Sequence, residues 1–350
     1  MGWDLKNVVI GAGLKGIVAT GMDRWLAPVA RGRGLVLTFH HVRPARSDRF
    51  QPNGLLEITP AHLARTVDIV RDLGFDIVPL DEVPARLMGD GPPFCALTFD
   101  DGYRDNVDHA APILAARGCP WTLFVTADYA SGRGRLWWLE LEEVVRRRGR
   151  VTLTLDGTTI DEPAGTPDEK ARAFRAVYGL LRGGPEERLR ETLAGWCREE
   201  GIDTDALVRS LCLGWDELEA LAADPLVAFG AHTLGHPMLA KHDASLVWLE
   251  LEGSRAAIES RLGRPVRHVA YPVGDPTSAG PREFQMAREL GFTTGLTTRP
   301  GHLFAEHAEN LTALPRVSVN GLYQTPEAIR SLLSGVPFLA WNRGRRLDVA

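Results

Sequence analysis

The sequence predicts a parallel α/β fold, and three observations carry that prediction. Apolar runs of strand length alternate with amphipathic helical stretches, and four helices end alike, at Leu73-Gly74, Arg117-Gly118, Leu262-Gly263 and Leu290-Gly291. Side chains suited to metal or proton-transfer chemistry recur where strands end, and parallel folds gather those loops on one face. Residues 131–212 break the rhythm and read as a mainly helical insertion between two strands of the repeating unit.

Residues 1–34 hold one or two amphipathic helices with Lys6, Lys15, Asp23 and Arg24 among apolar residues. Capping the domain is their plainest role; an oligomer contact and a membrane surface stay open. Leu35–Phe39 is the first strand and runs into His40-His41, after which Pro44 forces a loop. Thr59-Pro60 reads as N-cap and first helical residue of a helix with the apolar stripe Leu63, Val67, Val70 and Leu73. A strand over Phe75–Leu80 and a short helix over Asp81–Met88 follow. Phe94–Phe99 is a buried strand that stops at Asp100-Asp101-Gly102. The spacing predicts a helix over Val107–Arg117 and a strand over Trp121–Val125. Within the insertion, Trp137–Arg148 is a helix and Val151–Ile160 a hairpin around Asp156-Gly157. Two more helices cover Thr166–Leu181 and Pro185–Glu200. The insertion is a candidate lid, with Trp137 and Trp138 suited either to stacking on a bound ring or to ordinary core. Strands then recur at Leu226–Phe229, Val266–Tyr271 and Thr293–Thr298, between helices over Ser245–Leu262 and Pro281–Leu290.

Composition sets limits. Of 350 residues, 44% are hydrophobic and 24% charged, with a net charge of −5, so no nucleic-acid footprint is indicated. The 4 cysteines are far apart in sequence, with no Cys-x-x-Cys, which signals neither a cysteine zinc site nor a disulfide framework. No signal peptide or spanning segment is recognised, and the expected location is cytoplasmic.

The chemistry sits at the strand ends. Adjacent carboxylates on a strand point to opposite faces, so Asp100 and Asp101 share a pocket only if the chain turns there. Held together they repel unless a cation intervenes. His232 and His236 lie four apart in Gly230-Ala231-His232-Thr233-Leu234-Gly235-His236-Pro237, and a helical turn would put both imidazoles on one side. With one Asp they make a two-histidine, one-carboxylate set that suits catalytic Zn²⁺, and also Fe²⁺, Co²⁺ or Ni²⁺.

Thr98-Phe99-Asp100-Asp101-Gly102 together with His232-Thr233-Leu234-Gly235-His236 resembles the first two signatures of the polysaccharide deacetylases, carbohydrate esterase family 4 or the NodB homology domain. The resemblance covers roughly 35–130 and 213–320. It implies a distorted (β/α)7-type barrel carrying the helical insertion 131–212, with a segment at 321–350 beyond it. It also implies one divalent metal, usually zinc, and hydrolysis of N-acetyl groups on sugars. By the resemblance Asp101, His232 and His236 are the metal ligands and Asp100 is the general base. Tyr271-Pro272-Val273-Gly274 resembles the third signature, which makes Val273 N–H the candidate oxyanion donor, with Tyr271 beside it.

Two departures follow. Ala270 stands where the family carries an arginine that orients the base, and Arg316 is the candidate substitute from the last strand. No Leu-x-His occurs near residues 310–320, so the family's usual general acid is missing there. Phe39-His40-His41-Val42 is similar to a signature of the exopolysaccharide branch and makes His40 the candidate acid; strand alternation turns His40 inward with Val36 and Thr38, and His41 away. The expected partner is an N-acetylated carbohydrate, with a lipid-linked or nucleotide-linked sugar as one candidate; oligomeric state is open. Another amide hydrolase and a catalytically silent sugar-binding barrel are the rival readings.

Overall fold

The computed structural model describes residues 3–349. Its strands in chain order are β1 (Gly34–Phe39), β2 (His41–Val42), β3 (Glu57–Ile58), β4 (Asp76–Ile77), β5 (Phe94–Phe99), β6 (Trp121–Val125), β7 (Arg150–Leu155), β8 (Thr158–Pro163), β9 (Val227–Ala231), β10 (His268–Ala270), β11 (Thr294–Pro300) and β12 (Leu314–Ser318). Seven of them close into a parallel barrel in the order β1-β12-β11-β10-β9-β6-β5 and back to β1. The expected (β/α)7-type barrel is therefore the fold. β4 pairs only with the first residues of β5, through Asp76↔Phe94 and Ile77↔Cys95.

Both faces of a barrel strand are covered, and every residue of β1, β5 and β6 is buried. The inward residues Val36, Phe94, Ala96, Phe124, Leu296 and Leu314 form a plug inside the barrel. The outward residues Leu35, Leu37, Phe39, Cys95, Leu97 and Phe99 pack on the surrounding helices. Further along the same inward faces the residues turn polar: Thr38 and His40 follow Val36, and Thr98 and Asp100 follow Ala96. Apolar alternation thus fills one end of the barrel and leaves chemistry at the other.

The helix stops behave as read. Gly74, Gly118, Gly263 and Gly291 all take positive φ, as at Gly263 (61°) and Gly291 (81°), the left-handed step that closes a helix C-terminus. Thr59 caps the helix Pro60–Asp72 by accepting from His62 N–H.

Several elements differ from expectation. The helix expected over Val107–Arg117 is a wide π-type turn, Asn106–Ala110, followed by an α-helix at Ala111–Ala115. Pro112 accounts for this, since it has no N–H to give to residue 108 and its ring crowds that carbonyl. The strand expected over Phe75–Leu80 shrinks to Asp76–Ile77, with Pro79 unable to donate to a ladder. Helices at Thr204–Leu211, Trp215–Leu221, Pro326–Leu333 and Val336–Trp341 were not read from the sequence.

The inserted region contains the helix Trp137–Arg147, the β7–β8 hairpin, and helices Pro167–Gly183 and Glu186–Glu199. Asp156 (φ 48°) and Gly157 (φ 79°) form the hairpin turn, whose geometry needs positive φ at both positions. A second apolar core runs through Leu141, Val145, Val151, Phe174 and Leu189 into the barrel residues Tyr103, Tyr129 and Met238. That shared core seats the insertion over the polar end of the barrel. The N-terminal helix Trp3–Ala19 packs on Pro326–Leu333 beside it. Among the described residues, no helix is long and apolar enough to cross a membrane.

Candidate active site

A cavity of about 740 Å³ opens at the polar end, with Thr38, His40, Asp100, Asp101, His232, His236 and Val273 in its wall. Asp100 and Asp101 both reach it because the chain leaves the strand at once. Asp101 itself takes φ 72° and Gly102 takes φ 69°, so the second carboxylate swings to the same side as the first. Aspartate is one of the few residues that tolerates this region.

His232 and His236 do not share a helical turn. The segment after β9 is an irregular loop with Thr233 at φ 65° and His236 at φ 57°. Its shape comes from Glu250, on the helix Ala244–Leu262, whose carboxylate accepts from Leu234 N–H (2.8 Å) and Gly235 N–H (2.9 Å). Thr233 Oγ1 accepts from His236 N–H at 3.0 Å, and Arg190 donates to Gly235 O at 3.2 Å. The helical geometry expected from the spacing is thus corrected, while the convergence of the two rings stands.

Both Nε2 atoms lie 3.3 Å from Asp101 Oδ1, and one ligand atom from each of the three residues falls within 4.8 Å of the others. His232 Nδ1 donates to Ala270 O at 2.7 Å, since a carbonyl can only accept. That fixes the tautomer and presents the Nε2 lone pair to the triad. Asp101 Oδ1 is buried and without a hydrogen-bond partner among the described residues. An orphaned buried carboxylate oxygen facing two imidazole nitrogens is costly unless a cation satisfies all three, so the donor set fits a divalent metal.

Asp100 is held differently. Arg316, on β12, donates to Oδ1 and Oδ2 at 2.7 Å each, a two-pronged contact. The guanidinium is itself held by Nε donating to Thr297 O (2.9 Å) and by Thr98 Oγ1 (3.3 Å). Arg316 and Asp100 are buried, and Ala270 leaves no side chain to compete. Burial alone would raise the Asp100 pKa, but Arg316, with His232 and His40, outweighs it and holds the carboxyl below its usual range. Burial would likewise raise Asp101, and the two imidazoles set against it, His232 and His236, hold it well below.

His40 stands beside Asp100 at the end of the neighbouring strand, with Nε2 3.9 Å from Asp100 Oδ2. Burial pulls its pKa down against the pull of the two carboxylates. His41 faces away, bonded to Asp105 Oδ2 at 2.6 Å and stacked on Tyr103 with ring centroids 3.5 Å apart. Val273 turns at φ 59°, unusual for a β-branched residue, and its carbonyl accepts from Thr298 Oγ1 at 2.6 Å. Tyr271 does not join the site. Its side chain is core, with the hydroxyl donating to Thr312 O at 2.7 Å, and Val273 is the residue of this turn that lines the cavity.

The insertion contributes Trp137, Trp138, Phe174 and Tyr178 to the wall. Trp137 and Trp138 are 3% and 6% exposed, so they are core and cavity lining at once. Trp138 also packs 4.9 Å from the His236 ring. Glu250 was missed from sequence, having no signature beyond being an acidic residue on an amphipathic helix.

Residues 89–295 match the family model described as polysaccharide deacetylase. That is more than half of the chain, and the chain belongs to this family of hydrolases, which remove N-acetyl groups from sugars. Among solved structures it is similar to the Streptococcus pyogenes deacetylase PplD in complex with acetate, at 16% identity and TM-score 0.55, covering 82% of this chain and 92% of that one. It is also similar to IcaB from Ammonifex degensii, at 18% identity and TM-score 0.51, covering 87% and 97%. A polysaccharide deacetylase from Bacillus cereus, BC0361, aligns at 15% identity and TM-score 0.51, over 85% of this chain and 68% of that one. At these identities the likeness establishes the shared fold. No curated protein sequence matches the chain.

Proposed function

We propose that the chain is a metal-dependent N-deacetylase of an N-acetylated sugar, with Asp101, His232 and His236 holding one divalent ion, zinc first and Co²⁺, Ni²⁺ or Fe²⁺ behind it. The observation that carries this is the buried Asp101–His232–His236 set beside a second carboxylate locked by Arg316, at the floor of one cavity. When bound there, a divalent ion would lower the pKa of a water to near 7 and polarise the acetyl carbonyl, roughly as it does in other hydrolases.

The chain's own groups supply the rest. Asp100 takes the proton of the attacking water; Arg316 fixes its angle and keeps it ionised. Val273 N–H is the candidate donor to the oxyanion of the tetrahedral intermediate. His40, beside Asp100 at the end of the neighbouring strand, is the candidate acid that protonates the leaving amine, which cannot depart as an anion. Trp137, Trp138 and Tyr178 offer apolar ring faces against which sugar rings pack.

The test is acetate release from a panel of N-acetylated sugars, before and after chelation, with Asp100→Asn alongside. Release should vanish on chelation and return with added metal. Asp100→Asn should keep its metal and lose about 10²–10⁴-fold in turnover. Chelator-insensitive release would defeat the metal assignment, and an Asp100→Asn protein that loses its metal would show the two carboxylates to be exchanged.

A further inference from the structure

The N-terminal helix is apolar on two sides. One side packs on Pro326–Leu333, with Leu14 buried and Gly11 against the Tyr323 ring. The other side, including Leu5, Val8 and Val9, is exposed. The segment that follows adds Trp25, 86% exposed, and Val29, 64%. The C-terminal helix Val336–Trp341 adds Trp341, 56% exposed. These pieces are one surface: Trp3–Ala19 contacts Met22–Trp25, Ala27–Ala30 contacts Val336–Trp341, and Lys6 Nζ sits 5.9 Å over the Trp341 ring. A contiguous exposed patch of this kind marks an interaction surface.

Charge identifies the partner. The chain as a whole is at −5, yet residues 5–30 contain a single acidic side chain, Asp23, which is buried near Arg330 (3.5 Å). Exposed cations on these segments are Lys6, Lys15 and Arg24; Arg343 and Arg345, beside Trp341, share a groove with Asp275 and Asp348, and Arg346 pairs with Glu306. Exposed tryptophans among cations on an otherwise acidic protein suit a surface that is apolar below and anionic at its face. The same helix reaches the catalytic cavity, since Asn7 lies in its wall.

We propose that this face lies on an anionic phospholipid bilayer and holds the cavity mouth beside the membrane. The side chains enter only to the depth of the headgroups, consistent with a patch built from four non-spanning helices.

The experiment is co-sedimentation of the full chain with vesicles, either of phosphatidylcholine alone or with roughly a third phosphatidylglycerol, across a salt series. Binding should require the anionic lipid and weaken as salt rises. Val8→Ser/Trp25→Ser/Trp341→Ser should lose at least about tenfold in partitioning, and Lys15→Glu/Arg24→Glu a comparable amount. Circular dichroism melts should not change in the charge variant, which carries the test if the serine variant folds poorly. Failure to bind anionic vesicles would overturn the proposal, as would undiminished binding by both variants. A stable dimer that the serine variant converts to monomer would assign the face to a second copy instead. None of these readouts uses deacetylation, so the outcome is separate from that of the proposed function.

Discussion

Replacing Arg316 with methionine removes the cation held against Asp100. The wild-type guanidinium makes two 2.7 Å bonds to that carboxylate and a 2.9 Å bond to Thr297 O, all inside the barrel. Methionine fills much of the volume but leaves Asp100, 2% exposed, without its counter-charge. Breaking a buried pair from one side costs about 3–5 kcal/mol, because a charge remains in a poorly solvating place. Against a total stability on the order of 5–15 kcal/mol, that is a large loss. Asp100→Asn/Arg316→Met should recover most of it, since a neutral amide needs no counter-charge. The double-mutant cycle should therefore show a coupling of at least about 2 kcal/mol. Urea unfolding followed by circular dichroism reads all four corners. In activity, Arg316→Met should lose about 10²-fold or more through misplacement of the base. Arg316→Lys should do little better, because an ammonium cannot reproduce the two-pronged contact. A cost under about 1 kcal/mol for Arg316→Met, or strict additivity in the double mutant, would refute the claim that this pair is what holds Asp100 in place.

Three further outcomes are expected. His236→Ala should lose bound metal and activity together, and full metal occupancy by elemental analysis in that variant would remove His236 from the ligand set. His40→Ala should keep metal and fold but lose about 10²–10⁴-fold in turnover, whereas His41→Ala should lower the melting temperature with little change in kcat, because His41 is tied to Asp105 and Tyr103 outside the cavity; the opposite pattern would show the wrong histidine was chosen. His302 is buried, donates through Nε2 to Leu332 O at 2.9 Å, and has its pKa pulled down to about 4 by burial. Below about 6.5 the unfolded chain takes up this proton and the folded chain does not, so stability falls as pH drops toward 4, by on the order of 3 kcal/mol. His302→Gln should show a smaller loss between pH 7.5 and 4.5 in equilibrium unfolding, and an undiminished loss would exclude this histidine as the cause.

Much of the fold was legible because parallel strands are written as apolar runs and helix ends as glycines. Asp100, Asp101, His232 and His236 were legible by residue type and by their places after β5 and β9. What was not legible came from contacts between distant segments. Periodicity says nothing of Glu250 bonding to a loop 15 or 16 residues before it. The four-residue spacing of His232 and His236 suggested a helix that the left-handed Thr233 and His236 rule out. Tyr271 sits next to the turn that lines the cavity, yet its hydroxyl is claimed by Thr312 O, in the turn that precedes β12. Pro112 and Pro79 explain after the fact two elements that a stripe of apolar residues had lengthened.

The positive-φ residues show why type and place together were nearly enough. Among the described residues six non-glycine positions take positive φ, and four of them, Asp101, Thr233, His236 and Val273, belong to the site. Strained backbone of this kind costs on the order of 1–3 kcal/mol each and persists only where surrounding contacts over-determine it. Here those contacts are visible: Glu250 and Thr233 Oγ1 for the histidine loop, Thr298 for Val273, and the barrel closure behind Asp101. The barrel brings each strand end to one face, which the sequence pattern can announce. Turning the last side chain inward from that end requires a left-handed step, and the bonds that hold the step come from whichever element packs alongside. The site is therefore readable in its residues and unreadable in its angles, and variants of Glu250 or Thr298 should disturb the geometry of groups they never touch in sequence.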